Sequence, residues 1–250
     1  MSFEARLKFV LVRPQMGENI GGAARAMLNF GLDRMVIVNP RDGWPNAKAV
    51  KMASGAGRVL DQAIVVDNVP AALGNSHYVL ATTARPRGLT KEVLNPDAAM
   101  MEAIRRIRDG QRVAVLFGPE RSGLENGEIA RSNAIISVPV NPNFPSLNLA
   151  QCVLLCAYEW AQARENADMN ARDADVSDLA SQNDIEKLAD HYEDRLNEFG
   201  FFFPDDKSHI MRINLRNMWS RMPMKQADVK MFHGILRQMV RGNSDKNENP

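Results

Sequence analysis

Over the first 165 residues, six short runs rich in valine and isoleucine alternate with stretches whose apolar residues recur at helical spacing. The runs are "LKFVLVR", "RMVIVN", "AIVVDN", "HYVLATT", "RVAVLFG" and "AIISVPV". Helical stretches begin near Ile20, Asn46, Val69, Asn95 and Leu124, and a longer one runs from Leu147 to about Ala163. This alternation predicts an α/β domain over residues 1–165, with a mainly parallel six-stranded sheet covered by helices on both faces. Strands buried on both faces read as continuous apolar runs, as these do. In open sheets of this kind ligands bind beyond the carboxyl ends of the strands, so the segments just after each run are where a site is expected.

Beyond Glu165 the pattern changes. Residues 166–183 are polar and acidic and read as a linker. Three helical stretches follow within 184–241: Asp184 to Phe199, Ser208 to Met222 and Lys225 to Arg241, with Pro204 and Pro223 as punctuation. They form a small α-helical C-terminal extension, and the tail 242–250 reads as disordered. The net charge of +1 conceals an uneven distribution. Residues 165–198 carry eleven acidic side chains against Arg172, Lys187 and Arg195. From Lys207 to Arg241 eight lysines and arginines face Asp228 alone, which reads either as a solvated helix face, the commoner meaning of such a run, or as an RNA-facing surface. Phe199, Phe201, Phe202 and Phe203 cluster at one corner, where packing against the neighbouring helices is the simplest use and base stacking the alternative.

The two cysteines, Cys152 and Cys156, are four residues apart in an apolar helical stretch and read as core thiols; the spacing is not that of a Cys-x-x-Cys redox pair. The four histidines, His77, His191, His209 and His233, are scattered singly, so no metal site is expected. With no signal peptide and no apolar run of about 18 residues, the chain is expected to be cytoplasmic, with no membrane span.

Three strand-end segments carry the functional signal. "GENIGGAARAM" places three glycines and Arg25 where a strand gives way to a helix, a position that favours an anion. It matches neither the dinucleotide fingerprint nor a P-loop, which weakens a nucleotide-binding reading of the ordinary kind. In "LFGPERSGLENGEI", Gly118 permits close approach of a backbone to a ligand, Pro119 stiffens the exit, and Glu120 and Arg121 bring charge to a strand end. In "VPVNPNFPSLNLAQ", three prolines make an irregular loop that ends at Ser146, a suitable N-cap for the long helix.

Taken together, Asn19 with "GGAARA", "FGPERSGL" with Glu120, and "PSLNLAQ" with Ser146 and Asn148 resemble the SPOUT superfamily of RNA methyltransferases, in the TrmH-like branch that methylates ribose 2′-oxygens. The resemblance covers residues 5 to about 165. The "ATTARPR" stretch, the "NLAQ...AYE" helix and the separate helical extension bring the chain nearest to the tRNA enzymes that modify cytidine or uridine 32 in the anticodon loop. It implies a trefoil knot at the carboxyl end of the sheet, S-adenosylmethionine as cofactor, tRNA as partner, and a homodimer with its active site at the subunit interface.

Carried over residue by residue, the resemblance puts Thr82, Thr83, Ala84, Gly118, Val138, Pro145, Ser146 and Leu147 around the cofactor. It makes Arg25 the catalytic arginine, with Asn19, Glu120, Ser146 and Asn148 as its neighbours, and assigns the first glycine-rich segment to the RNA side. Methylation of another tRNA or rRNA nucleotide, and an RNA-binding module without turnover, are the alternatives. The presence of Asn19, Arg25 and Asn148 weighs against the second.

Overall fold

The computed structural model describes residues 4–84, 89–167 and 178–247, the last seven as backbone only. All six expected strands are present: β1 (Leu7–Val12), β2 (Met35–Val38), β3 (Ile64–Val66), β4 (Tyr78–Thr82), β6 (Val113–Phe117) and β7 (Ala134–Ile136). A seventh, β5 (Glu92–Leu94), lies on the edge beyond β7. Three residues with a single valine between a glutamate and a leucine give no alternation to read, which is why the sequence suggested six strands. The order is β3-β2-β1-β6-β4-β7-β5, and every pairing is parallel.

Side chains alternate between the faces, as the strand period of two demands. Leu7, Phe9 and Leu11 join one buried cluster with Met35, Ile37, Leu80, Val115 and Phe117, whereas Val10, Val12, Val36, Val38, Val79, Ala81 and Leu116 join another. The first face is covered by α1 (Gly17–Asn29), α2 (Ala47–Ala53), α3 (Gly57–Asp61), α5 (Pro96–Arg108) and α7 (Leu149–Asn166). The second is covered by the short helices α4 (Val69–Leu73) and α6 (Asn126–Ile129).

Gly17, Gly21 and Gly22 lie inside α1, not in a turn before it. A Cβ on Gly17 would fall 2.1 Å from Asn46 Oδ1, one on Gly21 would fall 2.2 Å from the Ala49 carbonyl oxygen, and one on Gly22 would meet the Ala150 Cβ at 3.0 Å. These glycines therefore let α2 and α7 approach α1 closely. Helix packing accounts for the glycine run, and no phosphate cradle is needed to explain it.

The C-terminal extension comprises α8 (Gln182–Glu198), α9 (Asp205–Ser220) and α10 (Gln226–Asn247) around a core of Leu188, Ala189, Trp219, Met224 and Val229. It is docked on the second face, over α4 and α6. The free N–H groups of the first turn of α8 find acceptors there: Gln182 donates to the Ser76 carbonyl at 2.7 Å and Asn183 to the Gly74 carbonyl at 2.9 Å. Asn133 donates to the Ser220 carbonyl at 2.7 Å, and Lys91 donates to Ser220 Oγ at 2.8 Å and to the Ala130 and Ser132 carbonyls. Burial and the nearby Arg221 push the Lys91 ammonium down to about 7. Most of the expected acidic linker, residues 168–177, lies outside the described residues, as do Arg85, Pro86 and Arg87 of "ATTARPR".

Several expectations for the extension are revised. Arg216 is not a free basic side chain: it pairs with Glu186 at 2.6 Å, Asp190 at 2.7 Å and Glu193 at 2.8 Å, so the acidic and basic blocks partly neutralise each other. Lys225 pairs with Asp178 at 2.7 Å, while Lys207, Lys230 and Arg237 remain exposed. Of the four phenylalanines only Phe202 is buried, beneath the Arg212 guanidinium; Phe199, Phe201 and Phe203 face outward because the corner has no further layer to pack against. His191 and His233 are not isolated, since their Nδ1 atoms lie 2.8 Å apart between α8 and α10. The last helix continues beyond Arg241 to Asn247, although Gly242, Asn243, Ser244 and Asp245 are all weak helix formers.

Candidate active site

At the carboxyl ends of β4, β6 and β7 one pocket gathers Thr82, Thr83, Ala84, Gly118, Val138, Pro145, Ser146 and Leu147. Four separate stretches of sequence supply these eight residues, and the structure brings all of them together. Phe117, Pro119, Ile136 and Leu149 add buried apolar walls, and Glu120 and Arg121 a polar rim. Thr82 is held by its hydroxyl, which donates to the Leu116 carbonyl at 2.9 Å.

The three strand-end segments meet through a run of hydrogen bonds. Glu120 Oε2 accepts from the Gln15 N–H at 2.8 Å, and Oε1 accepts from Asn19 Nδ2 at 2.6 Å. Asn19 Oδ1 in turn accepts from Asn148 Nδ2 at 2.9 Å. Asn19 is 7% exposed, so this buried amide has both ends satisfied, as burial of a polar group requires.

Asn148 also caps α7, its Oδ1 accepting from Ala150 N at 2.9 Å and Gln151 N at 3.3 Å. The N-cap is thus Asn148 and not Ser146, which is left exposed at the pocket. The sequence "SLNL" offered two capping residues, and the helix begins after the second.

Gly118 lines the pocket and also makes a close contact within its own loop. A Cβ there would stand 2.4 Å from Leu124 N and 2.6 Å from the Gly123 carbonyl carbon, so the close approach is by its own loop. Gly123, with φ of +67°, and its N–H bond to the Pro119 carbonyl at 2.8 Å complete that turn.

Arg25 stands apart from this assembly. It lies on α1 two turns after Asn19, is exposed, and does not line the pocket. Cys152 lines the pocket and Cys156 is buried; the bond to Cys152 and burial push the Cys156 thiol well above its ordinary value, which keeps it protonated. Sequence reasoning missed Gln15, whose contribution is a backbone N–H and leaves no side-chain signature.

A parallel α/β sheet with a part-apolar, loop-built pocket at its strand carboxyl ends, tied through the Asn19 and Asn148 amides to a carboxylate, defines a ligand-binding α/β domain. The chain belongs to the SpoU rRNA Methylase family, which matches residues 6–158, and residues 183–248 match the C-terminal domain of the tRNA methyltransferase TrmJ. The chain is 34% identical to the tRNA (cytidine/uridine/adenosine-2′-O-)-methyltransferase TrmJ of Pseudomonas aeruginosa, covering 96% of this chain and 97% of that protein. It superposes on the crystal structure of TrmJ from Z. mobilis ZM4 with a TM-score of 0.84 at 43% identity, covering 93% of this chain and 98% of that one. The SpoU methyltransferase AviRb from Streptomyces viridochromogenes, solved with AdoMet, shares the fold at 19% identity and a TM-score of 0.51, over 64% of this chain and 61% of that one.

Proposed function

We propose that this chain transfers a methyl group from S-adenosylmethionine to the ribose 2′-hydroxyl of a pyrimidine at position 32 of tRNA. The observation that carries the reading is the bonded run Glu120–Asn19–Asn148, which ties three sequence-distant motifs to the mouth of one pocket. The pocket suits the cofactor in its chemistry. Apolar walls from Phe117, Ile136, Val138 and Leu147 accept a flat heteroaromatic ring, loop backbone at 82–84 and 145–147 lies where it can meet the ring edge, and the Glu120 carboxylate provides counter-charge for a cation.

When bound, S-adenosylmethionine supplies an electrophilic methyl group. The chain's own residues supply placement, worth roughly 7–11 kcal/mol in favourable cases. Asn19 and Asn148 hold one rigid wall, and Glu120 is fixed by two donors. Arg25 offers five N–H donors and no acceptor, so it suits an anion and not the removal of a proton. Its role is to position a phosphate and to stabilise negative charge developing on the attacking oxygen.

Because Arg25 is exposed and outside its own chain's pocket, it acts in a homodimer on the pocket of a second copy. The exposed Leu154, Leu155 and Tyr158 on α7, beside α1, supply an apolar face for that contact. The trefoil knot accompanies this reading, in keeping with the return of Asn148 to Asn19. The division of residues is methylase over 1–165 and tRNA-binding extension over 184–241, and the setting is cytoplasmic.

The test uses a tRNA with a single 2′-deoxy nucleotide at position 32, labelled cofactor, and nucleoside mass spectrometry. Methylation of unmodified tRNA at nucleotide 32, and its loss in the deoxy tRNA, is the expected result. Continued methylation of the deoxy nucleotide overturns the ribose assignment, and methylation elsewhere on unmodified tRNA overturns position 32.

A further inference from the structure

Arg13 directly follows β1 and has φ of +45°, a left-handed conformation that a non-glycine residue adopts only where its surroundings hold it there. Its N–H still bonds the Val38 carbonyl, at 2.8 Å, and the chain then leaves the sheet through Pro14. Two residues later the Gln15 N–H holds Glu120. The Arg13 side chain crosses in the other direction to α6. Its two terminal nitrogens grip Glu128, and Nη2 also reaches Glu125 at 3.0 Å. Glu128 is 9% exposed at its side chain, and its Oε2 accepts the Glu125 N–H at 2.7 Å, closing the first turn of α6.

The loop that carries Glu120 therefore has two fixed ends. Gly118 pins one by close backbone contact, and Arg13 pins the other through α6. The same arginine also sets the turn that presents Gln15. Arg13 does not line the pocket, so whatever it does for the reaction passes through these groups. An ion pair between fully exposed groups would contribute little, because water screens it. Here one carboxylate is buried, and the guanidinium binds two carboxylates of one helix turn, a geometry that fixes orientation as well as distance.

We propose that Arg13 is a positioning residue for methyl transfer, holding Glu120 in register with Asn19 through the Gln15 turn and the first turn of α6. This rests on the reading of the pocket as the methyl-transfer site. The experiment compares Arg13→Met, Arg13→Lys and Glu120→Gln in the full-length protein, alone and as a double-mutant cycle, with S-adenosylmethionine and unmodified tRNA. Arg13→Met is expected to lower kcat about tenfold with both KM values changed less than threefold, and Arg13→Lys to recover at least half of that loss. In the Glu120→Gln background, Arg13→Met is expected to lower kcat by less than a further twofold, because groups that act as one unit are not additive.

Hydrogen exchange without ligand gives an independent readout: Arg13→Met should lower the protection of the Gln15 amide at least tenfold. Losses that multiply in the double variant, or unchanged Gln15 protection, would overturn the proposal. If Arg13→Met does not fold, Glu128→Gln addresses the other end of the clamp and should give the same kcat-only loss and the same non-additivity. A wild-type protein that methylates no tRNA would sink the reading of the site, while Gln15 exchange would still decide whether Arg13 holds that turn.

Discussion

Replacing Gly118 by alanine adds one carbon at the tightest point of the pocket. The new Cβ would stand 2.4 Å from Leu124 N and 2.6 Å from the Gly123 carbonyl carbon, where ordinary contact begins near 3.4 Å. Both neighbours are backbone, so no side chain can swing away, and the 119–124 loop has to retreat by about 1 Å. Overpacking of this kind costs about 1–3 kcal/mol. At about 2–4 °C per kcal/mol for a chain of this size, the melting temperature should fall by about 2–12 °C.

Function should suffer more than stability, because Glu120 rides on the displaced loop. Its bonds to Gln15 N and Asn19 Nδ2, at 2.8 and 2.6 Å, do not survive a 1 Å shift unchanged. Misplacement on that scale can cost about a hundredfold in rate. Calorimetry with S-adenosylmethionine should show at least tenfold weaker binding, and single-turnover methylation about a hundredfold slower transfer. Gly234→Ala, with open space around its Cβ on α10, is the control and should be neutral or slightly stabilising. A Gly118→Ala protein with unchanged melting, cofactor affinity and turnover would show that the loop is free to yield, and the account of the pocket as a pinned backbone cradle would fail.

Arg25→Ala should leave S-adenosylmethionine affinity within about threefold by calorimetry while turnover falls by at least a hundredfold, because the side chain is exposed and outside the pocket of its own chain. Truncation near Asp175 should keep cofactor binding, since the extension docks on the second sheet face away from the pocket, but should lose most tRNA affinity and its steep salt dependence in a filter-binding assay. His77 Nδ1 accepts the Arg112 N–H at 2.9 Å and so is held neutral, and burial, reinforced by the charge of Arg112, pushes it down to about 4. Between pH 6.5 and 4 the unfolded chain takes up a proton that the folded chain refuses, so stability should drop by about 1–2 kcal/mol after allowing for partial exposure. His77→Gln should flatten that part of a melting-temperature profile against pH.

β1, β2, β4, β6 and β7 were legible because burial on both faces forces unbroken apolar runs, and the exposed edge strand β3 was legible from its run of isoleucine and valines, which the equally short edge strand β5 lacks. The pocket residues were legible only as members of a motif set. Nothing in the spacing of Thr82, Gly118 and Ser146 announces that they meet, since that depends on which strands become neighbours. Glycine was the most misleading residue. In α1 it answered to helix packing, which looks like a ligand loop when only the sequence is read, whereas Gly118 lines the pocket and packs against its own loop as well. The charge of the extension misled in another way, because Arg216 is consumed by Glu186, Asp190 and Glu193, which lie more than twenty positions earlier.

Asn19 meets Glu120 across 101 positions of sequence and Asn148 across 129. Contacts that distant form only after the intervening chain has closed its loops, the slow part of folding in sheets built by crossover. The Asn19–Glu120 bond needs α1 and the loop after β6, and the Asn19–Asn148 bond needs the start of α7 as well, so the run is complete only when all three are in place. A ligand that needs all three is therefore blind to fragments and to a ribosome-bound chain that has not yet emitted residue 148. Its binding free energy adds to the stability of the whole methylase domain and not to any one element. Occupancy of the pocket becomes a signal that the domain is finished.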